Sequence, residues 1–542
     1  MKPWVRSLLL WSCCLTALGF LLVRQRQTVQ VQALPTLPQH SRVQVYMNQS
    51  PTASYQDPYR QILRSGDDLE QIIVDQILAA RSSVEVAVQE LRSQKIAQAL
   101  RNRHQAGVQV RLILENTYSR PWSSFTPSEV AQFNERQQDR YQDGLALIDR
   151  DGDNQISPSE SAQFDALQII QNTGIPWLDD TADGSAGSGL MHHKFVVIDQ
   201  QTVVATTANF TLSGLHGDLQ NPTSRGNTNS LLVLASPELA TAFQNEFDMM
   251  WGDGPGGQAD SAFGVRKPFR PVQHFTLDDA TIQVQFSPTS SRLPWQSSTN
   301  GLIGSTLQQS KDTVDLALFV FSEQNLVNQL ATEHQQGTVV RALVDSSFAY
   351  QSYSEVLDML GVFRSRLPNT CAIEANNQPW PIPIETVGVT RLPGGDRLHH
   401  KYGVIDQRIV IVGSHNWSDA ANEINDETLL VIEHPTVAAH FHREFERLYA
   451  SSRLGIPSFL QQEFERCAGV ESGRSATQQA EPVNLNTATQ AELESLPGIG
   501  PKLAANIITA RQVRPFNSLE EIDRVPGVGP KLLRTLQGQI AW

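Results

Sequence analysis

Short apolar stretches alternate with amphipathic segments through most of the chain, and the whole alternation occurs twice. Residues 84–87 (VEVA) match residues 314–317 (VDLA), and residues 107–111 (GVQVR) match residues 337–341 (GTVVR), both 230 positions apart. Each half predicts an apolar strand, an amphipathic helix, a glycine at the helix exit and a second apolar strand. Because alternating strands and helices pack as layers, the pattern predicts an α/β fold built from two similar halves.

The beginning of the chain has a different pattern. An uncharged run from Ser7 to Val23 lies between basic residues on both sides, and a stretch rich in Gln and Pro follows up to residue 42. The run is long for the core of a signal peptide and slightly short for a membrane span. We expect an uncleaved signal anchor in preference to a cleaved signal, with residues 1–42 forming a hydrophobic anchor or signal and a linker.

Polar and glycine-rich breaks divide the rest of the chain. Residues 251–257 are rich in Gly and separate the two halves, and residues 472–479 form a polar stretch before the last part. These breaks predict a first domain at 43–252 with an insertion near 128–172, a second domain at 274–467, a linker at 468–482 and a small domain at 483–542.

The composition is that of a globular protein. Apolar residues make up 40% and charged residues 18% of the 542 residues, which excludes a disordered chain. The formal charge of −14 excludes a protein that coats nucleic acid by charge alone, so any contact with nucleic acid requires a local site. Outside the hydrophobic run only Cys371 and Cys467 remain, and they could pair if the body of the protein is exported. The Cys and His residues have no zinc-site spacing.

One signature with catalytic side chains occurs in each half. The first copy comprises His192, Lys194, Asp199 and Asn209, and the second comprises His399, Lys401, Asp406, Ser414 and Asn416. In both copies Lys follows His by two residues, Asp follows Lys by five, and Asn follows Asp by ten. The residues after each His read as a buried strand, in which alternation points the His and its Lys to the same face.

The duplicated pattern resembles the HxK…D…GSxN signature of the phospholipase D superfamily. This resemblance implies two α/β/α domains related by a pseudo-twofold axis, whose motifs face each other in one site for phosphodiester chemistry. It also implies that His192 is the nucleophile that forms a phosphohistidine and that His399 is the general acid, although the symmetry allows the reverse assignment. The Lys and Asn side chains would hold the phosphoryl oxygens, and no catalytic cofactor is implied.

In this family an acidic group orients each His. Glu427 lies eleven residues beyond Asn416 and fits that role, whereas the corresponding segment of the first half, around Asn227 and Asn229, has no acid. We therefore add Glu427 to the residues expected in the catalytic site, together with the motif residues.

The insertion contains an acidic loop that resembles an EF-hand. Loop positions 1, 3, 5, 7, 9 and 12 are Asp149, Asp151, Asp153, Gln155, Ser157 and Glu160. Oxygen ligands at this spacing, between two segments with helical periodicity, are typical of a Ca²⁺ site. Because the His/Lys chemistry needs no metal, we expect this ion to have a structural or regulatory role.

A seven-residue segment near the C-terminus occurs twice, as LPGIGPK at 496–502 and as VPGVGPK at 525–531. With residues 483–488, it resembles the paired helix-hairpin-helix domain of bacterial DNA-uptake proteins, a small all-α domain. Its Gly-x-Gly turns expose backbone N–H groups that accept a DNA phosphate without reading sequence. We expect DNA contacts from Gly498, Gly500, Lys502, Gly527, Gly529 and Lys531.

Together these features favour a phosphodiesterase that cleaves DNA. We expect DNA as the partner, a membrane contact through the N-terminal segment, no protein partner, and a place in the bacterial cell envelope as an anchored or exported protein. The alternative is a membrane-associated phospholipase D that hydrolyses phospholipid headgroups. Cardiolipin-type synthesis is less favoured, because such synthases usually carry two N-terminal spans, and a DNA receptor with a vestigial site is the non-enzymatic alternative.

Overall fold

The computed structural model describes residues 34–185, 189–365, 371, 373–374 and 377–471, together with residues 483–494, 496, 499, 501–518, 520–525, 528, 532, 536 and 540–542. The predicted anchor lies almost wholly outside these residues. Among the helices that the structure describes, none combines the length and the apolarity needed to cross a bilayer.

The first half contains the following elements. Its strands are β1 (Val43–Met47), β2 (Ser54–Gln56), β3 (Leu63–Ser65), β4 (Ser83–Val88), β5 (Gln109–Leu114), β6 (Trp177–Asp179), β7 (Lys194–Ile198), β8 (Thr202–Thr206) and β9 (Ser230–Ala235). Its helices are α1 (Leu69–Ala79), α2 (Gln94–Gln105), α3 (Pro127–Val130), α4 (Glu135–Ile148), α5 (Pro158–Phe164), α6 (Ala166–Thr173), α7 (Leu212–Leu215) and α8 (Pro237–Trp251).

The second half repeats much of this order. Its strands are β10 (Gln273–Leu277), β11 (Ala280–Phe286), β12 (Thr313–Leu318), β13 (Phe321–Ser322), β14 (Val339–Val344), β15 (Val387–Val389), β16 (Lys401–Ile405), β17 (Ile409–Gly413), β18 (Trp417–Ser418), β19 (Thr428–Glu433) and β20 (Arg453–Leu454). Its helices are α9 (Thr299–Leu307), α10 (Gln324–Gln335), α11 (Val356–Met359), α12 (Asp419–Glu423), α13 (Pro435–Tyr449) and α14 (Ser458–Glu471).

Each half forms one large sheet. The first has the order β1-β9-β8-β7-β4-β5-β6, and the second has the order β10-β11-β19-β17-β16-β12-β14-β15-β20. In both, the two apolar strands of the repeat pair in parallel (β4 with β5, β12 with β14). The strand that begins with the motif Lys joins them antiparallel (β7 to β4, β16 to β12). The predicted α/β halves are thereby confirmed.

Apolar cores on both faces explain why the central strands are buried along their whole length. Helices α1, α2 and α6 cover one face of the first sheet, and α9, α10 and α11 cover one face of the second. Helices α8 and α13 lie in a core that draws residues from both sheets. The shared core holds the two halves against each other.

Two further features complete the fold. Cys371 and Cys467 form a disulfide, with sulfur atoms 2.03 Å apart, that ties an irregular segment to α14. The C-terminal region has its own small apolar core, with helices α15 (Gln490–Glu494) and α16 (Pro501–Val513). Strand β21 (Val483–Asn484) pairs in parallel with β22 (Ile540–Ala541), so a short strand pair adds to the predicted helices.

Candidate active site

The two motifs meet where short segments of the two halves pair with each other. Lys194 and Lys401 are the first residues of β7 and β16, so each motif His lies just before a central strand. Isolated parallel bridges link the residue before each motif His to the opposite half, pairing Met191 with Asp426 and Leu398 with Thr228. The segment that enters each motif therefore lies beside the segment that follows the other motif.

A carboxylate from the second half orients His192 of the first half. The Nδ1 atom of His192 lies 2.7 Å from Glu427 Oε2, which also accepts a hydrogen bond from the Ser414 hydroxyl at 2.7 Å. The Asn425 amide donates to the other carboxylate oxygen at 3.3 Å. Surrounded by donors, Glu427 acts as an acceptor, so His192 donates from Nδ1 and keeps a lone pair on Nε2. An imidazole in this form is a nucleophile.

An amide, not a carboxylate, orients His399. Its Nδ1 atom lies 2.9 Å from Oδ1 of Asn229, and the Thr207 hydroxyl donates to the same oxygen at 2.8 Å. The Asn229 amide nitrogen donates to the backbone carbonyls of Gly214 at 2.8 Å and Asn227 at 3.1 Å. Those carbonyls exclude the flipped amide, so Nδ1 of His399 is a donor. The partner of His192 is therefore a negatively charged carboxylate, and the partner of His399 is a neutral amide.

Two buried lysines make the site electropositive. Lys194 Nζ donates to the backbone oxygen of His192 at 2.8 Å, and Lys401 Nζ donates to that of His399 at 2.9 Å and lies 4.9 Å from the centre of the Phe319 ring. Both lysine side chains belong to residues only 1% exposed. Burial lowers the pKa of Lys194 to about 7, and burial together with the charge of Lys194 lowers the pKa of Lys401 well below its ordinary value. The arrangement suits an anionic ligand.

The two motif histidines and the two motif lysines affect one another's pKa values. Burial, followed by the charges of Lys194 and Lys401, lowers the pKa of both His192 and His399 well below 6.5. Each imidazole thus responds to both lysines. A bound phosphodiester would offset the lysine charges, so we expect it to favour the protonated form of His399.

Asn209 and Asn416 follow the strands β8 and β17 at the edge where the motif lysines lie. Lys194 is opposite Thr206 at the end of β8, and Lys401 is opposite Gly413 at the end of β17, as the neighbouring pairs show. The side-chain oxygens of Asn209 and Asn416 are buried and have no hydrogen-bond partner in the described part of the chain. Their amide groups remain able to bind a substrate.

Asp199 and Asp406 do not join the histidines, and their expected catalytic place is corrected. Each follows the far end of its strand, where its carboxylate accepts backbone N–H groups from the turn before the neighbouring strand. The donors are residues 81–83 for Asp199, at 2.6–3.0 Å, and residues 311–313 for Asp406, at 2.8–2.9 Å. These two carboxylates tie strands together and have a structural role.

The EF-hand-like loop lies between α4 and α5. Asp149, Asp151 and Asp153 each place a carboxylate oxygen within 4.8 Å of the other two. Asn154 has a φ of 62°, which explains why this residue can replace the usual glycine. Glu160 turns into the loop and accepts the N–H groups of Arg150 and Ser157. Gln155 and Ser157 complete the predicted ligand set, and Ca²⁺ binding at this loop stays a prediction.

The predicted DNA contacts fall largely outside the described residues. The residues outside the described part of the chain are Gly498, Gly500, Gly527, Gly529 and Lys531. Lys502 lies in the first turn of α16, where only its backbone is described. They stay predictions.

The surface around the two histidines differs in character. On the His399 side, Arg397 interacts with the carboxylate of Asp345 at 3.8 Å. Desolvation and then the positive charges of Arg397 and Arg140 lower the pKa of Arg136 on α4. On the His192 side, Leu190 and Ile424 are 37% and 47% exposed. One flank therefore carries arginines together with acidic partners, and the other carries exposed apolar side chains.

Several site residues were not predicted from the sequence. They are Gln89, which accepts from Lys194 Nζ at 3.3 Å, Phe319, whose ring lies 4.9 Å from that of His399, Asn229, and the buried pair Lys267 and Asp426, 2.7 Å apart. Asn229 had a weak sequence signal, since Asn-x-Asn follows the first motif as Asn-x-Glu follows the second, but at different distances, with Asn229 20 positions after Asn209 and Glu427 11 positions after Asn416. The others come from strands and loops that only the fold brings together.

Comparisons with known proteins agree with this geometry. The family model "cardiolipin synthase, PLD-like domain" matches residues 73–251 and 303–449, and a helix-hairpin-helix motif matches residues 478–541. The mitochondrial cardiolipin hydrolase of Xenopus laevis is 25% identical over 187 residues, covering 34% of this chain and 78% of that protein. The mouse protein of the same name is 25% identical over 193 residues, covering 34% and 77%.

Among solved structures, the phosphatidylserine synthase of Haemophilus influenzae aligns with a TM-score of 0.46 at 13% identity, covering 81% of this chain and 96% of that one. The family match covers more than half of the chain and includes both His/Lys motifs. The chain therefore belongs to the phospholipase D-like family and is a phosphodiesterase of the phospholipase D superfamily.

Proposed function

We propose that this phosphodiesterase hydrolyses DNA through a phosphohistidine on His192. The observation that carries the proposal is the helix-hairpin-helix motif in the same chain as the His/Lys site. Such a motif binds DNA phosphates without reading sequence, and would bring a phosphodiester polymer to the site. Arg397, two residues before His399, supports the same proposal, because a guanidinium group can bind a phosphate that flanks the cleaved bond.

The hydrogen-bond partners of the two histidines indicate which one is the nucleophile and which one is the general acid. Nε2 of His192 attacks phosphorus, and the negative charge of Glu427 stabilises the imidazole as it becomes cationic. His399 donates the Nε2 proton to the leaving oxygen, and neutral Asn229 does not hold that proton back. In the second step His399 removes a proton from water, whose oxygen attacks phosphorus and releases His192. Lys194 and Lys401 stabilise the charge on the phosphoryl oxygens throughout.

Phospholipid hydrolysis is the second candidate. The relatives named cardiolipin hydrolase suggest it, and exposed Leu190 and Ile424 beside His192 would suit acyl chains. The substrate in that case is also a phosphodiester, so the same residues would act in the same order.

The test uses the full-length wild type, His192→Ala, His399→Ala and a variant that lacks residues 483–542. Each is incubated with end-labelled DNA and, separately, with cardiolipin vesicles. We expect DNA cleavage that both His variants lose and that the truncation reduces at least tenfold. Release of phosphatidic acid with intact DNA would instead establish the lipid substrate.

We also propose that the loop at 149–160 binds Ca²⁺ and that the N-terminal run anchors or exports the protein. The three clustered aspartates and the inward-turned Glu160 support the first proposal. The disulfide supports the second, since disulfides persist mainly in oxidising compartments. Cell fractionation of the full-length chain, with and without residues 1–42, would test the location.

A further inference from the structure

A buried lysine in the linker between the two halves contacts both of them. Lys267 lies between α8 and β10, and its side chain is fully buried. Its Nζ atom donates to a carboxylate oxygen of Glu246 on α8, in the first half, and lies 2.7 Å from Oδ1 of Asp426, in the second half. The same Asp426 oxygen accepts the N–H group of Gly264 at 2.9 Å. Because one ammonium group pairs with a carboxylate of each half, it joins the halves beside the active site.

Asp426 belongs to the segment that orients the nucleophile. It directly precedes Glu427, whose carboxylate lies 2.7 Å from Nδ1 of His192. The backbone N–H of Asp426 donates to the oxygen of Leu190 at 2.9 Å, and its backbone oxygen accepts the N–H of His192 at 3.0 Å. Lys267 therefore holds, through the side chain of Asp426, the segment that places Glu427 against His192.

Glu246 connects the same lysine to the middle His of the first motif. Nε2 of His193 lies 3.3 Å from Glu246 Oε1, and Nδ1 of His193 lies 2.8 Å from the Thr428 hydroxyl. Burial alone would raise the pKa of Glu246, but the charges of Lys267 and a nearby arginine hold this pKa well below its ordinary value, so the carboxylate is ionised. The residue after the nucleophile and the residue after its carboxylate partner are thus paired with each other and linked to Lys267.

The other half is arranged differently. Glu444 has the same position on α13 that Glu246 has on α8, since both helices begin with Pro and are 15 residues long, and it interacts with His400 at 3.2 Å. Its cation is Arg447, which lies one turn further along the same helix at 2.6 Å. Thr228 stands at the corresponding bridge and carries no carboxylate. The cation of this half pairs within one helix, whereas the linker lysine reaches across to the segment of the other half.

We propose that Lys267 is a positioning residue, which holds the Glu427 carboxylate on Nδ1 of the nucleophile His192. Because it is fully buried, Lys267 does not touch the substrate and acts only through Asp426 and the segment that follows. A displacement of about 1 Å can slow a reaction about a hundredfold, so loss of this ion pair should weaken the nucleophile although every catalytic group remains. The proposal rests on the phosphohistidine mechanism proposed above and on no particular natural substrate.

Steady-state kinetics of full-length variants with bis(p-nitrophenyl) phosphate, a phosphodiester with activated leaving groups, tests this role. Lys267→Met removes the charge, Lys267→Arg keeps it, and Asp426→Thr copies the residue of the other half. Arg447→Met removes the corresponding ion pair of Glu444 and is the matched control. We expect kcat/KM, which reports formation of the phosphohistidine, to fall by about ten- to a hundredfold in Lys267→Met and Asp426→Thr. Lys267→Arg should retain most of the activity, and Arg447→Met should retain all of it.

A double-mutant cycle separates positioning from a general structural effect. If Lys267 acts through Glu427, Lys267→Met should lower kcat/KM by less than about threefold when Glu427→Gln is already present, because the two changes then remove the same interaction. A spectroscopic signature gives a second readout. The proton between Nδ1 of His192 and Glu427 should give a downfield NMR signal in the wild type, which Lys267→Met and Asp426→Thr lose and Arg447→Met keeps.

Additive losses in the cycle, equal losses in Lys267→Met and Arg447→Met, or an unchanged NMR signal in Lys267→Met would overturn the proposal. Circular dichroism and the Tm identify a variant that does not fold. If Lys267→Met is such a variant, Asp426→Thr, which keeps the pair of Lys267 with Glu246, takes its place with the same expectations. A wild type that does not cleave the probe would contradict the proposed function, and the NMR comparison would still decide whether Lys267 positions Glu427.

Discussion

At the residue scale, the site is asymmetric because the group that is hydrogen bonded to Nδ1 differs between the two motif histidines. Glu427 carries a negative charge behind His192, and the amide of Asn229 stands behind His399. The surrounding hydroxyls are alike, since Ser414 donates to Glu427 as Thr207 donates to Asn229. In the proposed mechanism, the carboxylate therefore lies behind the His that must become cationic.

Asn229→Asp tests this asymmetry. A carboxylate 2.9 Å from Nδ1 should stabilise the His399 cation and raise its pKa by about 1–2 units. Activity falls as pH rises through the pKa of the general acid, so the alkaline limb of the kcat/KM profile should move upward by about that amount. Asn227→Asp is the neighbouring control and should leave the limb in place. An unchanged profile in Asn229→Asp would contradict the role of His399 as the acid.

Lys194→Met separates stability from activity. The folded state holds Lys194 with a pKa of about 7 against an ordinary value of 10.5, so between these values the unfolded chain binds the extra proton. The free energy of unfolding of the wild type should therefore rise with pH across that window. Removing the buried charge should raise the free energy of unfolding by about 1–3 kcal/mol at pH 7 or below, while activity is lost. Urea denaturation at pH 6.5 and 9.5 measures the difference, and a variant less stable than wild type at pH 6.5 would contradict it.

At the residue scale, the sequence predicted the catalytic residues that occur in both copies of the motif. It did not predict interactions between residues that are far apart in the chain. The spacing of His, Lys and Asn located the central groups. The role of Asp199 could not be predicted, because its partners are backbone groups of residues 81–83, more than a hundred positions away. Nor could the spacing show that Glu427 serves the His of the other half.

The insertion is the element whose function is most open to direct test. Its α4 packs against Trp122, whose ring lies 5.6 Å from that of Tyr141, and its loop lies between α4 and α5. Local sequence was sufficient to predict these helices, because helix periodicity and the acidic loop are short-range features. The sequence did not reveal that α4 brings Arg136 and Arg140 toward the site.

Calcium should stabilise this element. Adding 1 mM CaCl₂ to chelator-treated protein should raise the Tm by a few degrees and change Trp122 fluorescence, because ion binding to the folded state shifts the unfolding equilibrium. Asp151→Asn combined with Glu160→Gln should abolish both effects, whereas Asp75→Asn, on α1, should not. Cleavage should continue in the presence of EDTA, since His192 and His399 need no metal. A calcium response that persists in the double variant would place the ion elsewhere.

Over the whole molecule, a shared core holds the two halves against each other, and a disulfide ties together distant parts of the second half. The core that includes α8 and α13 contains residues from both sheets, and the disulfide closes a loop of 96 residues in the second half. The duplicated repeat predicted two halves, and the family resemblance implied one composite site. It did not predict how they pack, because that depends on side chains of α8 and α13 meeting across the interface.

Loss of the disulfide should lower global stability. Cys371→Ser combined with Cys467→Ser should reduce the free energy of unfolding by about 2–4 kcal/mol, because the bond restricts a 96-residue loop in the unfolded chain. Urea unfolding of wild type with and without reductant provides the comparison, and activity of the folded variant should be retained. Equal stability of the double variant and the oxidised wild type would show that the bond contributes little.

The most direct test of the central claim is to trap the covalent intermediate. A DNA substrate with a labelled phosphate is mixed with wild type, His192→Ala and His399→Ala, quenched within milliseconds to seconds, and the labelled peptide is identified by mass spectrometry under alkaline conditions. The account predicts label on His192 in the wild type, more of it in His399→Ala with an activated leaving group, and none in His192→Ala. Label on His399, or no label in any protein that still cleaves its substrate, would contradict it.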